Sequence, residues 1–272
     1  MNPEAEIVTQ GRGRQKSNLV QYAVFAILLG AGAGAILLGA QAMPYRWQWH
    51  RVIPYLYKTH QGEIYLGPLI KGLGVTLVIS AQGFLVALAA GLITALLLLS
   101  HSIAGKALAR CYVELIRNTP LLVQLYLFYF VLAPILGIGR QTTGILALGL
   151  FEGAFAAEII RAGILAVPKG QTEAALSLGL TDWQVTRHIV LPQAVRIVLP
   201  PLTSLSISLV KHSAIVSAIA IFDLTNEGRN AIADTYMTFE IWLTVAAIYL
   251  VVTTTMSQLA RLLETRLANQ AH

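Results

Sequence analysis

Two apolar runs of the chain carry ionisable residues that are costly to place there without a purpose. Glu152, Glu158 and Arg161 fall in one run, and Lys211, followed by His212 and Ser213, falls in the other. A charge at the centre of a membrane helix costs about 2.5–3.5 kcal/mol on insertion scales, so such residues face a protein interior or a polar cavity and mark paths for ions or substrates. Glu158 and Arg161 stand three apart on one helical face, where each can neutralise the other. Partly neutralised, Glu158 can still line a cavity and hold an α-ammonium group. Lys211, read as a buried cation with two hydrogen-bonding neighbours, suits a carboxylate: that of a bound molecule, or that of another span in a structural ion pair. This is the chemistry of recognition. The sequence has no His/Cys cluster, metal-ligand spacing or nucleophile constellation, so no catalytic residue and no metal site is expected.

These residues must be positioned by membrane crossings. The 272 residues are 56% apolar and only 12% charged, with a mean hydropathy of +0.67, whereas a soluble domain carries about 25% charged residues. Roughly 20 residues at 1.5 Å each cross a hydrocarbon core of about 30 Å. Runs 17–45, 72–105, 118–139 and 241–260 qualify outright, and about 143–166 and 193–222 are apolar with isolated charges. The expectation is an all-α polytopic membrane protein with six transmembrane helices. Arg12, Arg14 and Lys16 before the first run and Ala40-Gln41-Ala42 near its end mimic a signal peptide. The run is far longer than an h-region of roughly 7–15 residues, so an uncleaved helix over 19–43 is expected.

Lys and Arg of the short loops favour both termini inside, with residues 1–18 and 267–272 as cytoplasmic tails and 44–67 as a periplasmic loop. The net charge of +6 is mostly this topology signal and gives no argument for nucleic acid. Trp47, Trp49, Tyr55, Tyr57 and Tyr65 suit headgroup depth, an anchoring to membrane lipid. The single cysteine, Cys111, excludes an internal disulfide. Gly83, Ala87, Gly91 and Ala95 recur every four positions and leave one helix side open to close backbone approach, as do Gly30 and Gly34 in the first run.

Between the fourth and fifth spans lies a polar segment, 168–192. Pro168 and Gly170 end the fourth span, a short helix with Glu173, Ala174 and Ala175 follows, and Gly179 supplies a left-handed residue to close it. Thr181 and Gln184 fit a capping box that starts a second helix. That helix continues through Ile189-Val190-Leu191-Pro192 into the fifth span, so a rigid elbow is fused to a membrane helix.

The pattern Glu173-Ala174-Ala175-x3-Gly179-x9-Ile189-x-Leu191-Pro192 resembles the cytoplasmic coupling (EAA) loop in permease subunits of bacterial ABC importers. Resemblance extends through Arg117-Asn118-Thr119-Pro120-Leu121-Leu122, Ala157-Glu158-Ile159-Ile160-Arg161 and Leu199-Pro200-Pro201-Leu202 to the polar amino acid branch, which includes histidine, arginine, glutamine and glutamate/aspartate importers. It covers about residues 68–266, a five-helix permease core, and leaves the first helix as an extra one. His212 departs from the Lys-Asn/Asp-Ser/Thr motif of that branch, and Gly153-Ala154-Phe155 departs from Ser-Ala-Tyr.

The resemblance implies a homo- or heterodimer of permeases in the bacterial inner membrane, two ABC ATPase subunits inside, a substrate-binding protein outside and a polar amino acid substrate, leaning to acidic amino acids or their amides. Glu173, Ala174, Ala175, Gly179 and Pro192 would couple to the ATPase, and Lys211, His212, Ser213, Glu158 and Arg117 would line the substrate path. ATP and Mg would bind the partner ATPase, because this chain has no Gly-rich sequence ending in Gly-Lys-Ser/Thr and should not itself be an enzyme. A secondary transporter or channel is the alternative, but its inverted repeats or discontinuous helices are not evident.

Overall fold

The computed structural model describes residues 21–32, 34–35, 38–39, 45–60 and 62–269. The 1–18 tail, the Ala40-Gln41-Ala42 segment and residues 270–272 lie outside them, as do parts of the expected 19–43 helix. Residues 1–47 and 48–272 form separate units. The first contains the apolar helix α1 (Gln21–Gly32), in which a Cβ added to Gly30 would meet nothing within 4 Å beyond its own helix among the described residues, and Tyr45 meets Trp47 edge-on at 5.3 Å.

The second unit begins where a plain loop was expected. Instead, a single 3-10 turn (Trp49–Arg51) and α2 (Ile53–Leu56) lead into an antiparallel hairpin, β1 (Tyr57–His60) with β2 (Glu63–Leu66), pairing Tyr57 with Leu66 and Lys58 with Tyr65. Alternating β-branched and aromatic residues favour such pairing.

Pro68 at the first helical turn opens α3 (Pro68–Leu99), since its fixed φ fits helix and its missing N–H would be unbonded there anyway. After α4 (Ile103–Arg117) and α5 (Leu121–Leu136) comes α6 (Arg140–Leu165), the most buried of the spans. The small-residue stripe of α3 faces α6. A Cβ on Gly91 would lie 2.6 Å from the Ala156 Cβ, and one on Gly149 would lie 2.6 Å from Val86. Ala87 and Ala95 are fully buried. Gly83 meets Leu148 and Gly91 meets Ala156, so the two helices run parallel and in step.

The sequence places one crossing at 118–139, but α4 precedes it and the pair is bent by 107°. Pro120 causes the bend, because it lacks an N–H and drives Thr119 away from helical dihedrals. The buried Gln124 amide repairs the break by donating to the Ile116 carbonyl at 2.7 Å and the Thr119 carbonyl at 3.0 Å.

Beyond α6 come α7 (Lys169–Ser177), α8 (Asp182–Ile219), α9 (Leu224–Thr235) and α10 (Thr238–Asn269). Among the described residues, α3, α6, α8 and α10 are long and apolar enough to cross a membrane, and α4 with α5 make a fifth crossing if the bent pair is one span. The helical polytopic class is as expected, with four to five crossings among the described residues, and α1 is a shorter apolar helix. Ile79, Leu125, Leu148 and Val216 form the core between α3, α5, α6 and α8, while Leu69, Leu224, Met237 and Ile241 join α3, α9 and α10.

Candidate functional site

A cleft of 330 Å³ opens between α6 and α8, walled by Phe151 and Phe155 and carrying Glu152, His212, Ser204 and Ser208. Its polar centre is one contact: His212 Nδ1 lies 2.5 Å from Glu152 Oε1, with the carboxylate side chain 4% exposed and the imidazole 44% exposed. A buried carboxylate is expensive without a hydrogen-bonded partner, which the imidazole N–H supplies. Phe151 stands edge-on to the His212 ring at 6.1 Å and 5.3 Å from Phe155. The Arg117 guanidinium lies 5.5 Å from the Phe155 ring centre, a cation–π contact that brings the end of α4 to the cleft wall.

Phenyl walls, a buried acid–imidazole couple and a nearby guanidinium can hold a small zwitterion. Among the described residues no group of three His, Cys, Asp or Glu could hold a metal ion.

The expected Lys211-His212-Ser213 trio does not act together. Lys211 is exposed on this chain and makes no ion pair among the described residues, so both the buried cation and the structural pair with another span are corrected. Successive helical residues turn by about 100°, which sends Lys211 outward, His212 to Glu152 and Ser213 into the core, where its hydroxyl donates to the Val210 carbonyl at 2.7 Å. Glu158 and Arg161 do pair, at 2.7 Å. The joining of Glu152 to His212 was missed, although an acid in one apolar span and an imidazole in another signalled it.

The polar elbow 168–192 has the anticipated local form. Leu180 N–H donates to the Ala175 carbonyl at 3.2 Å and Gly179 N–H to the Leu176 carbonyl at 2.9 Å, closing α7 with Gly179 at φ +82. The Thr181 side chain accepts from Gln184 N–H while the Gln184 side chain accepts from Thr181 N–H at 2.9 Å, a complete capping box. Pro192 removes the hydrogen bond to the His188 carbonyl, and the helix widens into a π-turn at Thr186–Val190. Gln193 bridges the elbow, donating to the Ile189 carbonyl at 2.8 Å and to Gln171 at 2.5 Å. Glu173, Ala174, Leu178 and Trp183 are exposed, whereas Ala175 is buried and packs the elbow itself.

Residues 83–269 match the family described as binding-protein-dependent transport system inner membrane component. The glutamine transport system permease protein GlnP of Escherichia coli is 35% identical over 202 residues, 73% of this chain and 92% of that protein. The probable glutamine ABC transporter permease protein GlnM of Bacillus subtilis is 45% identical over 163 residues, 59% of this chain and 74% of that protein. A crystal structure of an amino acid ABC transporter with histidines superposes with a TM-score of 0.69 at 42% identity, covering 73% of this chain and 94% of that one. With its family match spanning both the cleft and the elbow, the chain belongs to the binding-protein-dependent inner membrane transport components.

Proposed function

We propose that this chain is the membrane-spanning subunit of an ATP-driven importer for polar amino acids, with acidic amino acids or their amides as substrates and glutamine as the first candidate. It works as a homo- or heterodimer of permeases, receives substrate from a binding protein at the periplasmic face and is driven by two ABC ATPase subunits that hold the ATP and Mg. The elbow 168–192 lies in the cytoplasm, as do both termini, and the membrane is the bacterial inner membrane. Relatives named for glutamine transport support the substrate class.

One observation carries the reading: the elbow and the cleft share a single helix. Asp182–Ile219 runs for 38 residues from the exposed elbow to beyond His212. Displacement of Glu173, Ala174 and Trp183 by an ATPase is therefore transmitted along α8 to the Glu152–His212 couple, and closure of the paired ATPases opens the cleft toward the periplasm. In the cleft, Glu152 faces the α-ammonium and Arg117 the α-carboxylate; Lys211, turned outward from α8, meets an acidic or amide side chain on the path outside the cleft. Gly179 and Pro192 shape the elbow, while Glu158, neutralised by Arg161, stays at the margin of the path.

The test is Glu173→Lys, which reverses an exposed charge on the elbow. The variant should reach the membrane but lose the co-purifying ATPase and ATP-dependent glutamine uptake. Co-purification and uptake at wild-type levels would refute the docking role.

A further inference from the structure

We infer a second amino-acid-binding pocket on the elbow side of the cleft, a release station between α8 and α10 built on Arg261 and Glu264; it rests on the importer function proposed above. A polar pocket of 190 Å³ lies there, lined in part by Thr203, Ser204, Ser257, Arg261 and Glu264. Such a volume is below the about 300–1,000 Å³ of drug-sized clefts, the scale of one small polar molecule.

Its chemistry is that of a zwitterion's complement. Arg261 and Glu264 stand three apart on one face of α10, yet the ion pairs among the described residues are Glu158–Arg161 and Glu152–His212. The same spacing closes on α6 with the acid first; on α10 the order is reversed, which is the weaker orientation for a helical pair. Both charges are left for the pocket. Glu264 is held by the Thr203 hydroxyl, which lies 3.1 Å from Glu264 Oε1 and 2.7 Å from the Pro200 carbonyl. A guanidinium grips a carboxylate with two parallel hydrogen bonds, and a carboxylate flanked by hydroxyls takes an ammonium. The pocket therefore reads the α-carboxylate and α-ammonium that every amino acid carries and has no aromatic wall to read the side chain. This low selectivity suits release.

Position fits the same role. Ser204 borders both this pocket and the α6–α8 cleft. It precedes His212 along α8, about 12 Å nearer the elbow at 1.5 Å per residue. Substrate leaving the Glu152–His212 couple toward the elbow meets Arg261 and Glu264 next.

The test uses the complete importer in proteoliposomes with radiolabelled glutamine. Arg261→Gln and Glu264→Gln should each lower Vmax about fivefold or more while KM for external glutamine falls with it and Vmax/KM stays within about twofold, the pattern of a step slowed after substrate loading. An unchanged Vmax, or a rise in KM alone, overturns the station. Should either variant fail to assemble, Ser257→Cys in a Cys111→Ser background decides: glutamine should slow its labelling by a maleimide. Protection by glutamine added at the elbow face without ATP means the pocket draws on the released pool, and protection only during turnover means substrate in transit; labelling that is the same with and without glutamine in both settings overturns the pocket. Absence of amino acid uptake by the wild-type importer would instead refute the importer function itself.

Discussion

The Glu152 carboxylate and the His212 imidazole, sixty positions apart in sequence, meet at 2.5 Å and join the central helix to the helix that carries the elbow. Removing the imidazole with His212→Ala leaves a carboxylate that is 4% exposed without its partner. An unsatisfied buried polar group costs about 1–3 kcal/mol, so the melting temperature of the purified protein should fall. His212→Gln, which retains an amide donor, should recover most of the loss. Equal melting of His212→Ala and wild type would show that the contact contributes nothing.

What the sequence reveals here is mostly local. Gly179, the Thr181–Gln184 box and the Glu158–Arg161 pair involve residues three or four apart, and chain geometry alone brings these together. The open side of α3 is visible in Gly83, Ala87, Gly91 and Ala95, although nothing in that stripe names α6 as its partner. Glu152 and His212 require two helices to be packed before either has a meaning. Lys211 illustrates the opposite failure: its span was found, but its outward direction depends on one step of helical rotation. The bend at Pro120 was written in the local sequence and was outweighed by the apolar run around it.

Close approach of α3 to α6 makes Gly91 intolerant of a side chain. Gly91→Ala would set a methyl 2.6 Å from the Ala156 Cβ and 3.1 Å from its carbonyl carbon. Overpacking of this kind costs about 1–3 kcal/mol. Gly74→Ala on the same helix meets nothing within 4 Å and should gain helix propensity of up to about 1 kcal/mol. Thermal melting of the two variants should move in opposite directions; a shared direction would show that α3 and α6 do not pack through Gly91.

Asp223 caps α9, accepting from Asn226 N–H at 3.0 Å and Thr225 N–H at 3.2 Å. Burial outweighs these bonds and pushes its carboxyl up to about 6. The folded chain thus holds a proton that the unfolded chain, with an ordinary Asp near about 3.9, has lost. Stability from this group is greatest below about pH 4, falls as pH rises to about 6 and is level above it, a change of about 3 kcal/mol at most. Glu227 is also raised by burial, against the opposing charge of Lys71, and adds to the same trend. Asp223→Asn keeps a capping oxygen and should flatten the decline in melting temperature from pH 4 to 7. An undiminished decline would place its origin elsewhere.

Lys211 is exposed and makes no ion pair among the described residues, so its removal should not disturb folding. Lys211→Ala should melt as wild type does and assemble normally. A hydrogen bond to a charged group is worth about 1.5–3 kcal/mol, which corresponds to roughly tenfold or more in kcat/KM for a substrate whose carboxylate or amide it holds. Uptake measured with glutamine and glutamate checks both halves, and unchanged kinetics with both substrates would remove Lys211 from the path.

The elbow transmits force only if it is stiff, and its stiffness resides in two residues. Gly179 holds φ at +82, where a residue with a Cβ costs about 1–2 kcal/mol. Thr181 closes the capping box at the start of α8, and replacing such a cap by Ala costs about 0.5–2 kcal/mol. Neither contributes to the apolar core, so global melting should change little in Gly179→Ala or Thr181→Ala. Hydrogen exchange should quicken instead at the amides of 175–185, by up to about tenfold for each 1.4 kcal/mol lost locally. If the elbow is the drive rod, both variants should hydrolyse ATP in the assembled importer at near wild-type rates while carrying less glutamine per ATP. A preserved transport ratio despite faster exchange would show that the push does not travel through this hinge.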